Sequence, residues 1–373
     1  AAGANGSNMG AFGIGCGSIH IGPLWYVATT GSDATGNGTY TNPFATIQTA
    51  IDSSIDGDTV LVAAGIYVEN INYSGKYITL GSHLLLHPDS LDLIENTIID
   101  GDSIGTVITI QDCNNDTTSI IGFTIQNGLN NEADQGSAIH ASSSKVGIKH
   151  CLIKSNHGFG ASINSFEGSF FCENITTADN QNDISGDLVS YDGSNQIIFV
   201  INSIISNGFS YYGNEPQWDV SYTNFSGYDY PSNETNIQEN PFFCDPSGGD
   251  FSLGENSPCV GTGENGANMG AFGVGCGIIN QVLNVPADYA TIQAGIDAAI
   301  DGDTVLIHPG IYEGAYLYNK NINLFSLYST TGDTGYISNT IIDGDDDGCT
   351  LMIYGNIDES TRISGFTIQN GTG

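Results

Sequence analysis

The chain is 373 residues long and 39% hydrophobic with 10% aromatics, enough apolar material to fill a core in one large or two medium domains. Against 41 Asp and Glu stand 6 Lys and Arg; the formal charge of −35 repels phosphate backbones and anionic membrane surfaces and excludes nucleic-acid binding. No apolar run approaches the ~20 residues of a membrane-spanning helix, so no membrane insertion is expected, and the 8 cysteines contain no CxxC pair of the zinc or thioredoxin type.

The first distinctive phrase is MGAFGIGCG at residues 9–17, which returns as MGAFGVGCG at 269–277. From Thr46 to Ile55, Ile47, Ala50, Ile51 and Ile55 fall on one face of a short helix, and Ile292, Ile296, Ala299 and Ile300 repeat that pattern. The phrase DGDTV follows each time, with Asp56 and Asp58 in one copy and Asp301 and Asp303 in the other, and predicts a turn from helix into strand. Strands are predicted at Thr59–Val62, Tyr77–Leu80, Thr97–Asp100 and Val107–Ile110.

Further along, one pattern recurs as Ile120, Phe123, Ile125; Ile148, Cys151, Ile153; Phe170, Glu173, Ile175; Phe199, Asn202, Ile204; and Val220, Thr223, Phe225. A second series is Ile139, Ile163 and Val189. Short β-branched segments broken by Asn, Gly and Ser at such intervals predict a parallel β-solenoid, in which each coil pairs with its neighbours and alternate residues enter a narrow core. The Asn of each SNG or QNG phrase is expected to take the left-handed corner. The amphipathic helix then serves as a cap over the open apolar end and strand edge.

Repeats organise the whole. ATIQTAIDSSIDGDTVLVAAGIYVENI from Ala45 returns as ATIQAGIDAAIDGDTVLIHPGIYEGAY from Ala290, and GFTIQNG occurs at both 122–128 and 365–371. Residues 1–17 read as the tail of a preceding module or an inter-subunit segment, 18–277 as a complete module, and 278–373 as the start of a second, incomplete one.

The succession YVATTGSDATGNGTYTNPFATIQTAID, GDTVLVAAGIYVENI, IIGFTIQNG and NPFFCDPSGGDFSLGENSPC with MGAFGVGCG resembles the right-handed parallel β-helix proteins of the pectate-lyase-like superfamily. It is most similar to the tandem-repeat members exported to microbial surfaces. The resemblance implies an all-β fold of tandem β-helix modules and an extracellular or cell-surface location. It leaves activity open, because the superfamily includes lyases, hydrolases, adhesins and structural arms.

The lyases of that superfamily use Ca²⁺ and a coil-face Arg or Lys, whereas this chain offers only Lys76, Lys145, Lys149, Lys154, Lys320 and Arg362. Its hydrolases pair aspartates with a His-Gly phrase and an Arg-x-Lys phrase; here His157-Gly158 stands without either partner. The expectation is therefore a non-enzymatic structural protein that joins copies of itself head to tail. A carbohydrate-binding adhesin using Tyr211, Tyr212, Tyr228 and Tyr230 is the alternative, and a polysaccharide-degrading enzyme is the third reading.

Four further candidates follow from residue chemistry. His140, His150 and His157 lie in one stretch with Lys145, Lys149 and Lys154 and could line a ligand groove. Asp343, Asp345, Asp346 and Asp347 in IIDGDDDG form a candidate calcium loop, matched by Asp100 and Asp102 in the first module. Cys244 and Cys259 bracket a hairpin-like segment and are the candidate disulfide, while Cys151 and Cys172 fall in adjacent coils. Sequons begin at Asn5, Asn37, Asn72, Asn115, Asn174, Asn224, Asn233 and Asn370 and are compatible with export and glycosylation.

Overall fold

The computed structural model describes residues 23–113, 117–132, 135–182, 186–192, 196–225, 233–346 and 348–372. Two compact units meet at the chain position between Gly277 and Ile278.

In the first unit the chain runs through Thr117–Ile121, Thr124–Gln126, Leu129–Asn130 and Gly136–Ser142, then starts again with Lys145–Lys149. Each strand pairs in parallel with the strand one turn later: Ile120 with Ile148, Ile125 with Ile153, Leu129 with His157, and Ile139 with Ile163. Among the described residues this builds parallel sheets of eight, seven and six strands and a short one of three. The unit is all-β with few helices, an arrangement compatible with a parallel β-helix. Val60, Leu80, Ile120, Phe123, Ile148, Phe170 and Ile198 are fully buried in one continuous core.

The second unit repeats the scheme on fewer coils. Its sheet runs Val282–Val285, Thr304–Ile307, Asn323–Ser326 and Arg362–Ser364, all parallel. Val285, Ile292, Val305, Leu317, Leu324 and Ile342 form a core of its own.

The recurring pattern places the coils well and two registers wrongly. The stacked column is Ile120, Ile148, Cys172, Val200 and Val220, not Phe170 and Phe199 in the third and fourth coils. A slip of two residues keeps Phe170 on the inner face, where it is buried beneath Val146; a slip of one turns Phe199 outward, half-buried, while Ile198 and Val200 face inward. In the second series Leu188, rather than Val189, stacks on Ile163.

Corners stack as regularly as strands. Gly122, His150, Asn174, Asn202 and Tyr222 all have positive φ between the eight- and seven-stranded sheets. Asp112, Ser143, Glu167, Asp192 and Gly213 do the same after the six-stranded sheet. The expected left-handed Asn is found at Asn127, but in the next coil Ser155 takes that conformation and Asn156 turns inward. Asn156 is fully buried: its Oδ1 accepts from the Gly128 amide at 2.8 Å, and its Nδ2 donates to the Ile125 and Lys154 carbonyls and to Asn180 Oδ1. Asn180 donates in turn to the Ile153 carbonyl at 2.9 Å.

Helix Ile47–Ser53 begins where the Thr46 side chain accepts from the Thr49 amide and the Glu69 carboxylate accepts from Ile47 N and Gln48 N. Ile47, Ala50 and Ile51 are fully buried against the first core, but the helix ends before Ile55, which is 68% exposed. In the second unit the helix is Ile292–Ala298, with Ile292, Ile296 and Ala299 buried and Ile300 exposed. DGDTV is the turn expected: Asp58 accepts from Trp25 Nε1 and the Ile55 amide, and Asp303 from the Gln281 and Ile300 amides.

Two of the scarce cations hold these helix ends. Lys76 Nζ donates to the Ile51 and Asp52 carbonyls at 2.7 and 2.9 Å, and Lys320 Nζ to those of Ile296 and Asp297. A cation here satisfies orphan carbonyls and the negative end of the helix. Lys76→Met, which keeps the stem and removes the charge, is expected to lower stability by about 1 kcal/mol in urea unfolding; an unchanged midpoint would contradict this role.

Candidate functional site

The acidic loops come first because both units carry them. Strand Thr97–Asp100 lies beside Thr124–Gln126 and ends at Asp100, whose carboxylate accepts from Gln126 Nε2 and Asn127 Nδ2 at 2.8 Å each and from the Asp102 amide. In the second unit Asp343 accepts from Gln369 Nε2, Asn370 Nδ2 and the Asp345 amide at 2.9 to 3.0 Å. These donors hold the Asp343 carboxyl below its usual range, the Gln369 amide first among them. IIDGD and TIQN recur together because each Asp is fastened to the Gln-Asn of the next coil.

For the calcium candidate, the loop residues Asp345 and Asp346 are left-handed, and Asp347 lies outside the described residues. Asp343, the strand-end member, presents its oxygens to amide donors rather than to a shared centre with the other acids. Among the described residues no group of three or more His, Cys, Asp or Glu is arranged to hold a metal.

The cationic stretch is dispersed around the coil. His140 lies buried in the six-stranded sheet, its Nδ1 3.1 Å from Asn164 Oδ1. Lys145 and Lys149 belong to the eight-stranded sheet, where Lys149 pairs with Glu173 at 2.6 Å. Lys154 is in the seven-stranded sheet with its Nζ 5.5 Å from the Phe251 ring centroid, and His157 is exposed on the short sheet. Neighbours in sequence point to different faces here because the chain turns a corner every few residues, so the six residues do not line one groove.

His150 sits at a corner with its Nδ1 buried and without a hydrogen-bond partner. Burial pushes its pKa below 6.5; Glu173 opposes the shift and Lys149 adds to it. The unfolded chain therefore binds more protons than the folded one just below 6.5, so this residue's contribution to stability is lost as pH falls through that value. A histidine titration followed by NMR is expected to place His150 below 6.5, and a value above 6.5 would contradict its buried environment.

Sequence reasoning did not single out Asp187, a fully buried carboxylate. It accepts from Thr177 Oγ1 at 2.6 Å, Asn182 Nδ2 at 2.8 Å, Ser162 Oγ and the Asn207 amide at 3.1 Å, and Asn207 Nδ2 at 3.2 Å. These donors come from three successive coils, and no sequence signal joins them.

Phe166, Tyr191 and Tyr212 stack in register at the end of successive strands, with the Tyr191 and Tyr212 rings 4.8 Å apart and 17° from parallel. Tyr211 and Tyr212 are 39% and 38% exposed, while Tyr228 and Tyr230 lie outside the described residues.

The disulfide joins Cys244 to Cys276, not to Cys259. Strands Phe243–Asp245, Asp250–Gly254 and Val274–Cys276 form one small sheet that brings the two Cα atoms to 5.9 Å. Cys259 is instead a buried thiol, its Sγ 3.1 Å from Asn224 Nδ2. Cys113, Cys151 and Cys172 are buried free thiols, with Cys172 stacked on Ile148.

The sequons separate by the state of the amide nitrogen that would carry a glycan. Asn37, Asn72 and Asn233 are exposed. Asn224 is buried and donates to the Glu239 carbonyl, and Asn174 donates to the Asn268 and Gly270 carbonyls, so neither is a glycan acceptor in this fold. Asn370 donates to Asp343, and Asn5 and Asn115 lie outside the described residues.

No protein-family model matches the chain, and no curated protein matches it.

Proposed function

We propose that the chain is a structural extracellular repeat protein built of right-handed parallel β-helix modules in tandem, each opened by a capping helix, which forms a rod or a head-to-tail filament outside the cell. The observation carrying this reading is that the two units use the same polar side chains for the same internal bonds. Asp58 and Asp303 fix the helix-to-strand turn, Lys76 and Lys320 close the helix, and Asp100 and Asp343 fasten one coil to the next. Residues recurring this way serve the scaffold, and the cations that could neutralise an anionic substrate are dispersed or engaged. The disulfide favours an oxidising compartment.

Electron microscopy of the purified protein tests this: filaments with an axial repeat set by the modules would support it, and discrete monomers at all concentrations would not. Repeating the micrographs with a chelator tests calcium at the Asp343 loop, where loss of filaments would restore the ion. Glycans at Asn37, Asn72 and Asn233 would be consistent with export.

The adhesin reading is favoured by one observation, the aromatic column of Phe166, Tyr191 and Tyr212 with the adjacent exposed Tyr211. Aromatic rings with a polar tip suit the mixed faces of sugars. A glycan array showing no binding would remove it.

A further inference from the structure

The closing segment of the first unit is held almost wholly through its backbone and three small or apolar side chains. Ala271 N donates to Thr176 Oγ1 at 2.9 Å and Gly270 N to the Asn202 carbonyl at 2.7 Å. Glu264 N donates to Asn202 Oδ1, and Asn174 Nδ2 donates to the Asn268 and Gly270 carbonyls. Met269, Ala271 and Phe272 are buried on the outer side of the seven-stranded sheet, against Ile204, Leu253 and Cys259 and against Leu152, Ala178 and Phe251. Gly270 has a φ of +93°, and a Cβ there would lie 2.7 Å from Ile204 Cδ1, so any side chain is strained at this position. Cys276 then locks the segment to Cys244.

Residues 3–17 carry that ligand a second time. They match 263–277 at every position but three: Ala4 for Glu264, Ser7 for Ala267 and Ile14 for Val274. None of the three replaced residues is buried, and Val274 is 47% exposed, so the added methylene of Ile14 would meet solvent. Every side chain that fills the surface (Met9, Ala11, Phe12), the obligatory glycine (Gly10) and the locking cysteine (Cys16) are kept. The segment keeps every buried side chain of 263–277, differs only at half-buried or exposed positions, and the contact at Glu264 is made by its backbone amide, so residues 3–17 have the specification for the same receptor.

We propose that residues 3–17 of one copy dock on a second copy at the surface formed by Asn174, Thr176, Asn202 and Ile204, replacing residues 263–277, and that Cys16 becomes disulfide-bonded to Cys244. The proposal rests on the head-to-tail reading above and supplies its contact. The covalent step is balanced without an external oxidant: the Cys16 thiolate attacks Cys244 Sγ, the Cys244–Cys276 bond breaks as Cys16–Cys244 forms, and Cys276 leaves as a thiolate that takes up the proton Cys16 released. The half-buried disulfide is within reach of an incoming thiolate. The resident segment competes as a tethered ligand, at an effective concentration on the order of mM, so the exchange is favoured where copies are crowded and the lock is open.

Equal amounts of unlabelled and isotope-labelled 373-residue chain are mixed at high concentration with trace thiol, alkylated and mapped without reduction. The expected product is a Cys16–Cys244 peptide pair with one light and one heavy partner. Gly10→Ala, which alters only the incoming segment, is expected to cut its yield about tenfold by overpacking against Ile204. A pair that is isotopically unmixed, a pair unaffected by Gly10→Ala, or no pair in wild type would each overturn the proposal. Filaments that persist in the Gly10→Ala chain would overturn this contact while leaving the assembly reading intact.

Discussion

Asp187→Ala is expected to lower the unfolding free energy of the first unit by about 3–5 kcal/mol, among the largest losses any single substitution would cause. The carboxylate is fully buried and takes five hydrogen bonds from Thr177, Asn182, Ser162 and Asn207. Removing it leaves donors from three successive coils facing one another across a small void, each costing about 1–3 kcal/mol if water cannot reach it. Asp187→Asn keeps one oxygen but turns an amide toward the Asn182 and Asn207 amides, so it should fall between wild type and alanine. Urea unfolding with equal slopes would read the order directly. A loss below about 1 kcal/mol for alanine would show that the network is replaceable by solvent.

Breaking Cys244–Cys276 is the second large effect. The bridge closes a sequence separation of 32 residues, for which chain entropy predicts about 3–4 kcal/mol. Cys244→Ser and Cys276→Ser should each lose that amount, reduction of wild type should match them, and the double variant should lose no more than either. Cys259→Ala should cost about 1–2 kcal/mol of packing and leave the bridge intact. A non-reducing peptide map in which residue 244 is joined to 259 would reverse this assignment.

Three expectations are corrected by the structure. The hairpin between Cys244 and Cys259 makes their pairing the shorter loop in sequence, but strand Val274–Cys276 returns beside Asp250–Gly254 and brings the more distant cysteine into bonding range. Phe199 likewise carries the apolar letter of its pattern, yet turn length in that coil shifts the register by one and Val200 takes the core position. Ile55 continues the helical period of Ile47 and Ile51, but the chain leaves the helix at Ser54 and Asp58 accepts the Ile55 amide. For the cysteines and Phe199 a partner far along the chain decides the outcome, whereas at Ile55 the helix stop is local.

By itself the sequence determined the all-β character, the parallel coils and the helices at Ile47–Ser53 and Ile292–Ala298, because these follow from periodicity and from phrases that recur. Tertiary structure alone decided which residues stack, that Asp100 and Asp343 face Gln-Asn pairs, that Asn224 is closed to a glycan, and that the His and Lys stretch is spread over four sheets. Those facts depend on contacts between coils some twenty to thirty residues apart, where one residue more or less in a turn reverses a side chain, and no local pattern records that count.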